Sequence, residues 1–191
     1  LSTLGAVLEQ SGDLAGAEAS YRESLAMRER LLGPEHPDTA RSLYALAGLQ
    51  QAHGDPEGAI ASCRRILALR GGVLPEGHPM VAAALQVEGL SLLDLGRTAE
   101  AEPLIREALA LRRATLPEGH WLIASSQGAL GAALVALGRF PEAEALLLES
   151  ERGLAAARGP QHGLSREARR RLAELYEAWG RPEQAARWRE P

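Results

Sequence analysis

Residues 32–40 read LGPEHPDTA and set His36 between two prolines. The phrase returns as LPEGHPMVA at 74–82, LPEGHWLIA at 116–124 and GPQHGLS at 159–165. Its histidines, His36, His78, His120 and His162, stand 42 residues apart. A fixed step of that length marks a repeat architecture, which decides the fold before any local reading does. Pro37 and Pro79 fall where a helix begins, because proline gives up no useful hydrogen bond there, and the histidines precede them at the cap. Asp38 adds favourable charge to that first turn. Trp121 and Gly163 replace the second proline in the later copies, which predicts that those two joints are irregular.

Other columns keep the same step. Gly12, Gly54, Gly96, Gly138 and Gly180 form one, and Ala17, Ala59, Ala101, Ala143 and Ala185 another. Leu4, Leu46, Leu130 and Leu172 form a third, with Glu88 as the exception. Gly5, Ala47, Gly89, Gly131 and Ala173 form a column of small residues. Leu43, Leu46, Ala47 and Gln50 fall at helical spacing, as do Gln127, Leu130, Gly131 and Leu134. The column glycine ends that helix, A, and a second, B, starts at once, with Pro56 and Pro182 near its beginning. The small residues let A and B approach closely. Neither helix buries its apolar stripe alone, so neighbours stack. An armadillo array has a similar period but needs a third helix per copy, for which there is no room.

The motifs Leu1-x2-Leu4-Gly5-x2-Leu8 with Ala17-x3-Tyr21, and Leu85-x2-Glu88-Gly89-x2-Leu92 with Ala101-x3-Ile105, resemble the tetratricopeptide repeat. So does Arg169-x2-Leu172-Ala173-x2-Tyr176 with Ala185-x3-Arg189. The 42-residue length and the GPEHPDTA loop resemble the long subclass of kinesin light chains and many bacterial signalling proteins. The ending LAELYEAWGRPEQAARWRE bears a looser resemblance to the C-terminal repeats of bacterial serine/threonine kinases, with Trp179 and Trp188 closing the stack. The resemblance implies an all-α fold, a right-handed α-solenoid of antiparallel helix pairs forming one domain over 1–191. Its copies are 1–37, truncated, then 38–79, 80–121, 122–163 and a short cap at 164–191.

Composition narrows the function. The net charge of −4 gives no field to recruit nucleic acid or an anionic membrane. No apolar run approaches the roughly 18 residues of a membrane helix, and no signal peptide is visible. All 21 basic residues are arginine and asparagine is absent, the bias of a GC-rich, bacterial genome. Cys63 is the single cysteine, so no internal disulfide forms, consistent with a cytoplasmic protein. The chain opens at Leu1 without methionine, inside a helical pattern, which predicts a piece of something longer.

Candidate chemistry is thin. Histidines one repeat apart are too far separated to share a metal ion, whose ligands must lie about 2 Å away. Cys63 occupies the core column of Tyr21, Ile105 and Leu147, as a structural cysteine would. Ser125 and Ser126 lack a glycine elbow, and no phosphate loop, dinucleotide fingerprint or kinase motif is present. Glu88 in a leucine column requires a rotated helix or a nearby arginine. Arg166, Arg169, Arg170 and Arg171 read as a polar end helix that stops further stacking. The expectation is a nonenzymatic protein without cofactor or metal.

In the resembled family, A helices line a groove for partner peptides. Carried over, the groove is Arg41, Tyr44, Ala45, Gly48 and Gln51, then Ala83, Gln86, Val87, Leu90, Leu93 and Asp94. Ser125, Gly128, Ala129, Ala132 and Val135 follow, then Arg170, Arg171, Glu174 and Glu177. Many relatives grip the peptide backbone with paired asparagines, which this chain lacks. What is left is a polar entry, an apolar middle of small residues and a charged exit. That implies a scaffold for a protein or peptide partner, with no nucleic acid or membrane. The alternative is a segment that packs on its own chain or self-associates, with any enzyme activity, such as a protein kinase, in another domain.

Overall fold

A computed structural model describes residues 2–189, with side chains from residue 3. Leu1, the first residue of the opening motif, and Glu190 and Pro191 lie outside the described residues. The chain divides into two compact units, Leu1–Gly96 and Arg97–Pro191. The first holds α1 (Ser2–Ser11), α2 (Leu14–Leu32), α3 (Pro37–Ala52), α4 (Pro56–Leu67) and α5 (Pro79–Asp94). The second holds α6 (Thr98–Thr115), α7 (Trp121–Ala136), α8 (Phe140–Arg158), α9 (Gly163–Ala178) and α10 (Pro182–Arg189). Within each unit every helix packs on its neighbours in sequence, and A helices also touch, α3 on α5 and α7 on α9. Both units are therefore stacks of helix pairs, the all-α solenoid class that the repeat predicts.

The column glycines terminate the A helices as expected. Gly12, Gly54, Gly96, Gly138 and Gly180 have φ between 72° and 83°, a conformation that side chains disfavour. The alanine column is buried throughout, at 0–1% exposure from Ala17 to Ala185.

The histidine column is a set of helix caps. His36 Nδ1 accepts the Asp38 backbone N–H at 3.1 Å, and His78 does the same for Met80 at 3.1 Å. His120 and His162 accept from Leu122 and Leu164, both at 3.2 Å. The joints at Trp121 and Gly163 are thus as regular as the others, contrary to expectation. The reason is that the cap bonds the second N–H of the helix, while the first has no helical partner whatever residue supplies it. Proline is permitted there and not required. His120→Ala is expected to lower stability by about 1 kcal/mol in a thermal melt, and His120→Asn by less, since asparagine also caps well.

Besides the short terminal α10, of 8 residues, one B helix departs from the pattern. Helix α4 has 12 residues, whereas α2, α6 and α8 have 18 or 19. Gly71, with φ 78°, turns the chain early. Its N–H donates to the Leu74 carbonyl at 2.9 Å, and the Leu74 N–H to the Leu69 carbonyl at 3.0 Å. Leu74 is thereby buried, at 1% exposure, and takes over the packing that the missing turn would supply.

Candidate functional site

In the first unit the expected partner face runs along α3 and α5. Arg41 and Tyr44 are exposed, Tyr44 at 38%, and Ala45, Gly48 and Gln51 are half-buried. On α5, Ala83, Gln86, Val87, Leu90 and Leu93 are half-buried and Asp94 is exposed. Arg41 pairs with Asp38 at 2.7 Å. Gln51 Nε2 donates to Asp94 Oδ2 at 3.3 Å, which ties the C-terminal ends of the two helices together. Leu90 and Leu93 keep part of their surface in solvent, so an apolar stripe is available between polar ends.

In the second unit the face runs along α7 and α9. Ser125, Ala132 and Val135 are half-buried, as is Arg171, while Arg170, Glu174 and Glu177 are exposed. Two residues of the expected face do not belong to it. Gly128 and Ala129 are buried, Ala129 at 0%. A Cβ on Gly128 would lie 2.7 Å from Ser150 Oγ and 3.1 Å from Arg171 Nη1. The small residues at this register are consumed by the approach of α8 and by Arg171 lying over α7. Arg171 Nε donates to Glu167 at 3.0 Å, and Arg170 pairs with Glu167 at 2.6 Å and with Glu174. These pairs raise the Arg170 pKa, the Glu167 hydrogen bond foremost. Arg169 donates to the Pro160 carbonyl at 2.9 Å. Arg169, Arg170 and Arg171 are therefore engaged by their own helix and the loop that precedes it.

Glu88 has the arginine that its column position requires. The carboxylate is buried, at 4% exposure, and accepts from Arg64 Nε at 2.8 Å. Beside it, burial first and the Glu88 charge second push the Cys63 thiol up to about 12. The thiol stays protonated at neutral pH, which removes its nucleophilic form. Replacing Glu88 with the leucine of the other copies is expected to leave stability unchanged or raise it by about 1 kcal/mol, read from a urea midpoint, because the desolvation of the carboxylate disappears.

Trp179 stacks on Phe140 of α8, ring centroids 5.7 Å apart, and the Arg181 guanidinium carbon lies 3.5 Å from the Trp179 ring centroid. The neighbouring Tyr176 hydroxyl donates to Glu144 at 2.7 Å, and burial together with that carboxylate pushes its pKa up to about 12. Trp188 is half-buried on α10.

Sequence reasoning overlooks a cleft of about 670 Å³ in the second unit, between the end of α6, the start of α7 and the middle of α8. Arg113, Glu118, His120, Gln127, Glu149 and Arg152 line it, with Gly153 at its wall. The signal for it is Gly153, whose register in earlier copies holds Met27, Leu69 and Leu111. Among the described residues no group of three or more His, Cys, Asp or Glu could hold a metal, and no helix is long and apolar enough to cross a membrane.

A family model described as tetratricopeptide repeat matches residues 1–72 and 122–189, and a second with the same description matches 81–122. No curated protein matches the chain in sequence. Among solved structures, a kinesin-light-chain-type protein of Podosopora anserina with nearly identical repeats has a TM-score of 0.79 at 24% identity, over 98% of this chain and 88% of that one. RapI in its apo form has a TM-score of 0.79 at 13% identity, over 98% of this chain and 65% of that one. A Rap protein complexed with competence and sporulation factor has a TM-score of 0.72 at 16% identity, over 97% of this chain and 53% of that one.

Proposed function

The chain belongs to the tetratricopeptide repeat family, a family of protein–protein interaction scaffolds, and from that premise we propose that its A helices hold a protein or peptide segment. The observation that carries the reading is the stripe along α3 and α5. Tyr44, Val87, Leu90 and Leu93 put apolar surface into solvent there, while Leu43, Leu46, Leu85 and Leu92 on the same helices are exposed by 5% or less. Arg41, Gln51, Gln86 and Asp94 supply hydrogen bonds and charge beside that stripe; the second unit's own face carries the polar Ser125, Arg170, Arg171 and Glu174 and the apolar Val135. An apolar centre with a polar surround suits an amphipathic helix or an extended segment with spaced apolar side chains. The Rap complex with competence and sporulation factor supports the reading as a protein of this fold that holds a ligand.

The setting we propose is a bacterial signalling protein in the cytoplasm. Its support is the all-arginine composition and a lone, buried cysteine. Catalysis, where the signalling protein has any, belongs to another domain.

The test is recovery of a partner by the wild-type chain and by Leu90→Arg from lysate of the source cells, with the bound proteins identified by mass spectrometry. The expected result is a defined partner whose affinity falls at least tenfold, about 1.4 kcal/mol, in the variant. A partner retained equally by Leu90→Arg overturns the stripe as the site. A dimer of the chain itself that Leu90→Arg dissolves, seen by sedimentation, selects the self-association alternative.

A further inference from the structure

We propose that the cleft between α6, α7 and α8 of the second unit binds a carboxylate carried on an apolar body. It lies on a different stripe of α7 from the partner face, through Ile123, Ala124 and Gln127, and does not depend on that reading. The cleft is open because Gly153 stands where earlier copies hold Met27, Leu69 and Leu111. The glycine has its own reason, since a Cβ there would come within 2.8 Å of the Ala124 Cβ. Close approach of α7 and α8 therefore excludes the side chain that would otherwise fill the space.

The guanidiniums of Arg113 and Arg152 are balanced in charge by the carboxylates of Glu118 and Glu149, but side-chain N–H donors outnumber side-chain acceptor oxygens in this space. Arg152 spends its Nε–H on the Leu148 carbonyl at 3.3 Å, and its exposed guanidinium end lies at the cleft. Arg113 approaches Glu149 only to 3.9 Å, because Glu149 is drawn to Gln127 Nε2. His120 uses Nδ1 as the cap acceptor, so its ring N–H is at Nε2, on a half-buried side chain lining the same cleft. Two guanidinium groups and an imidazole N–H match the planar oxygens of a carboxylate. Glu118 and Glu149 in the wall repel a doubly charged phosphate more than a singly charged carboxylate. Leu116 and Ile123 supply an apolar floor for the body that carries the carboxylate.

The ligand could be a peptide C-terminus or a small free acid, and two probes separate them. Ligand-observed NMR titrations of the whole chain would use N-acetyl-leucine, hexanoate, N-acetyl-leucine amide and inorganic phosphate. At least one carboxylate is expected to bind with a Kd of about 1 mM or tighter, and the amide at least about tenfold more weakly. N-acetyl-leucine ahead of hexanoate identifies a peptide terminus, and the reverse identifies a small acid. Arg152→Glu is expected to weaken the carboxylate at least about tenfold without altering the melting curve, since that side chain is exposed, and Arg113→Glu to do likewise. Amide binding equal to the acid, phosphate binding as tight as the carboxylates, an unchanged affinity in both variants, or no carboxylate binding at about 10 mM would each overturn the site.

Discussion

Gly131→Val is expected to destabilise the second unit by about 3 kcal/mol in equilibrium urea denaturation. An ideal Cβ at this position lies 2.6 Å from Leu147 Cγ, 2.7 Å from Leu147 Cδ2 and 3.5 Å from the Ala143 carbonyl. Leu147 is at 0% exposure, so it has no free space to swing into. Valine gains a little helix propensity over glycine, a few tenths of a kcal/mol, too little to offset two branches driven into a packed wall. The chain itself indicates how to relieve the clash. Sixteen residues separate each small-column residue from the B-helix residue that faces it. Gly5 stands opposite Tyr21, where a Cβ would come within 2.7 Å, and Gly131 opposite Leu147. Where the B residue is slim, as at Cys63, the column holds Ala47, and where it turns outward, as at Arg189 with 62% side-chain exposure, it holds Ala173. Gly131→Ala combined with Leu147→Cys copies the second pair. It is expected to be more stable than the sum of the single variants by about 1–2 kcal/mol. Strict additivity would mean that α7 and α8 settle the contact by moving apart.

The same matching explains why so much of the fold is legible in the sequence. A repeat samples a structural position four or five times, so a column separates what the backbone demands from what one copy happens to carry. The turn glycines, the capping histidines and the buried alanines are all backbone demands, and each lies where the 42-residue step puts it. What is not legible depends on one copy alone. The early end of α4 comes from Arg70-Gly71-Gly72, a local break that the columns average away. The regular joints at Trp121 and Gly163 were hidden because proline at the helix start looks like a cause when it is only compatible with one. The burial of Gly128 follows from Ser150 on α8 and from Arg171 on the next A helix, the latter a contact that no pattern within one copy contains. The cleft at Gly153 is of the same kind: its walls come from three helices, and only the loss of a bulky residue from its column announces it. The exposed stripe on α3 and α5, which we propose as the partner face, is legible as well, but no column names an occupant.

The joints between pairs carry the second large effect. Arg112→Ala is expected to cost about 3 kcal/mol, while Arg112→Leu combined with Ser126→Ala is expected to lie within about 1 kcal/mol of the parent or above it. Arg112 is 6% exposed, and its Nη1 donates to Ser126 Oγ at 2.7 Å and to the Leu122 carbonyl at 3.1 Å. The arrangement is a repeated device: 84 residues earlier, Arg28 Nη1 donates to Ser42 Oγ and to the Asp38 carbonyl at 3.2 Å. One copy after Arg112 the chain solves the same joint differently, with Leu154 and Ala168 in an apolar cluster with Ala124, and Trp121 and Leu164 packed against it. Truncating the arginine alone leaves a cavity, a buried hydroxyl and a buried carbonyl that had accepted from it, and each of these is costly. Exchanging both partners for the residues of the apolar joint removes the acceptor hydroxyl together with the donor and refills the volume. It also removes the desolvation of a buried guanidinium, the term that makes such polar joints expensive to keep. Urea midpoints of the single and double variants decide the matter. A double variant as unstable as Arg112→Ala would mean that the guanidinium holds more than this joint, and that the two solutions are not interchangeable.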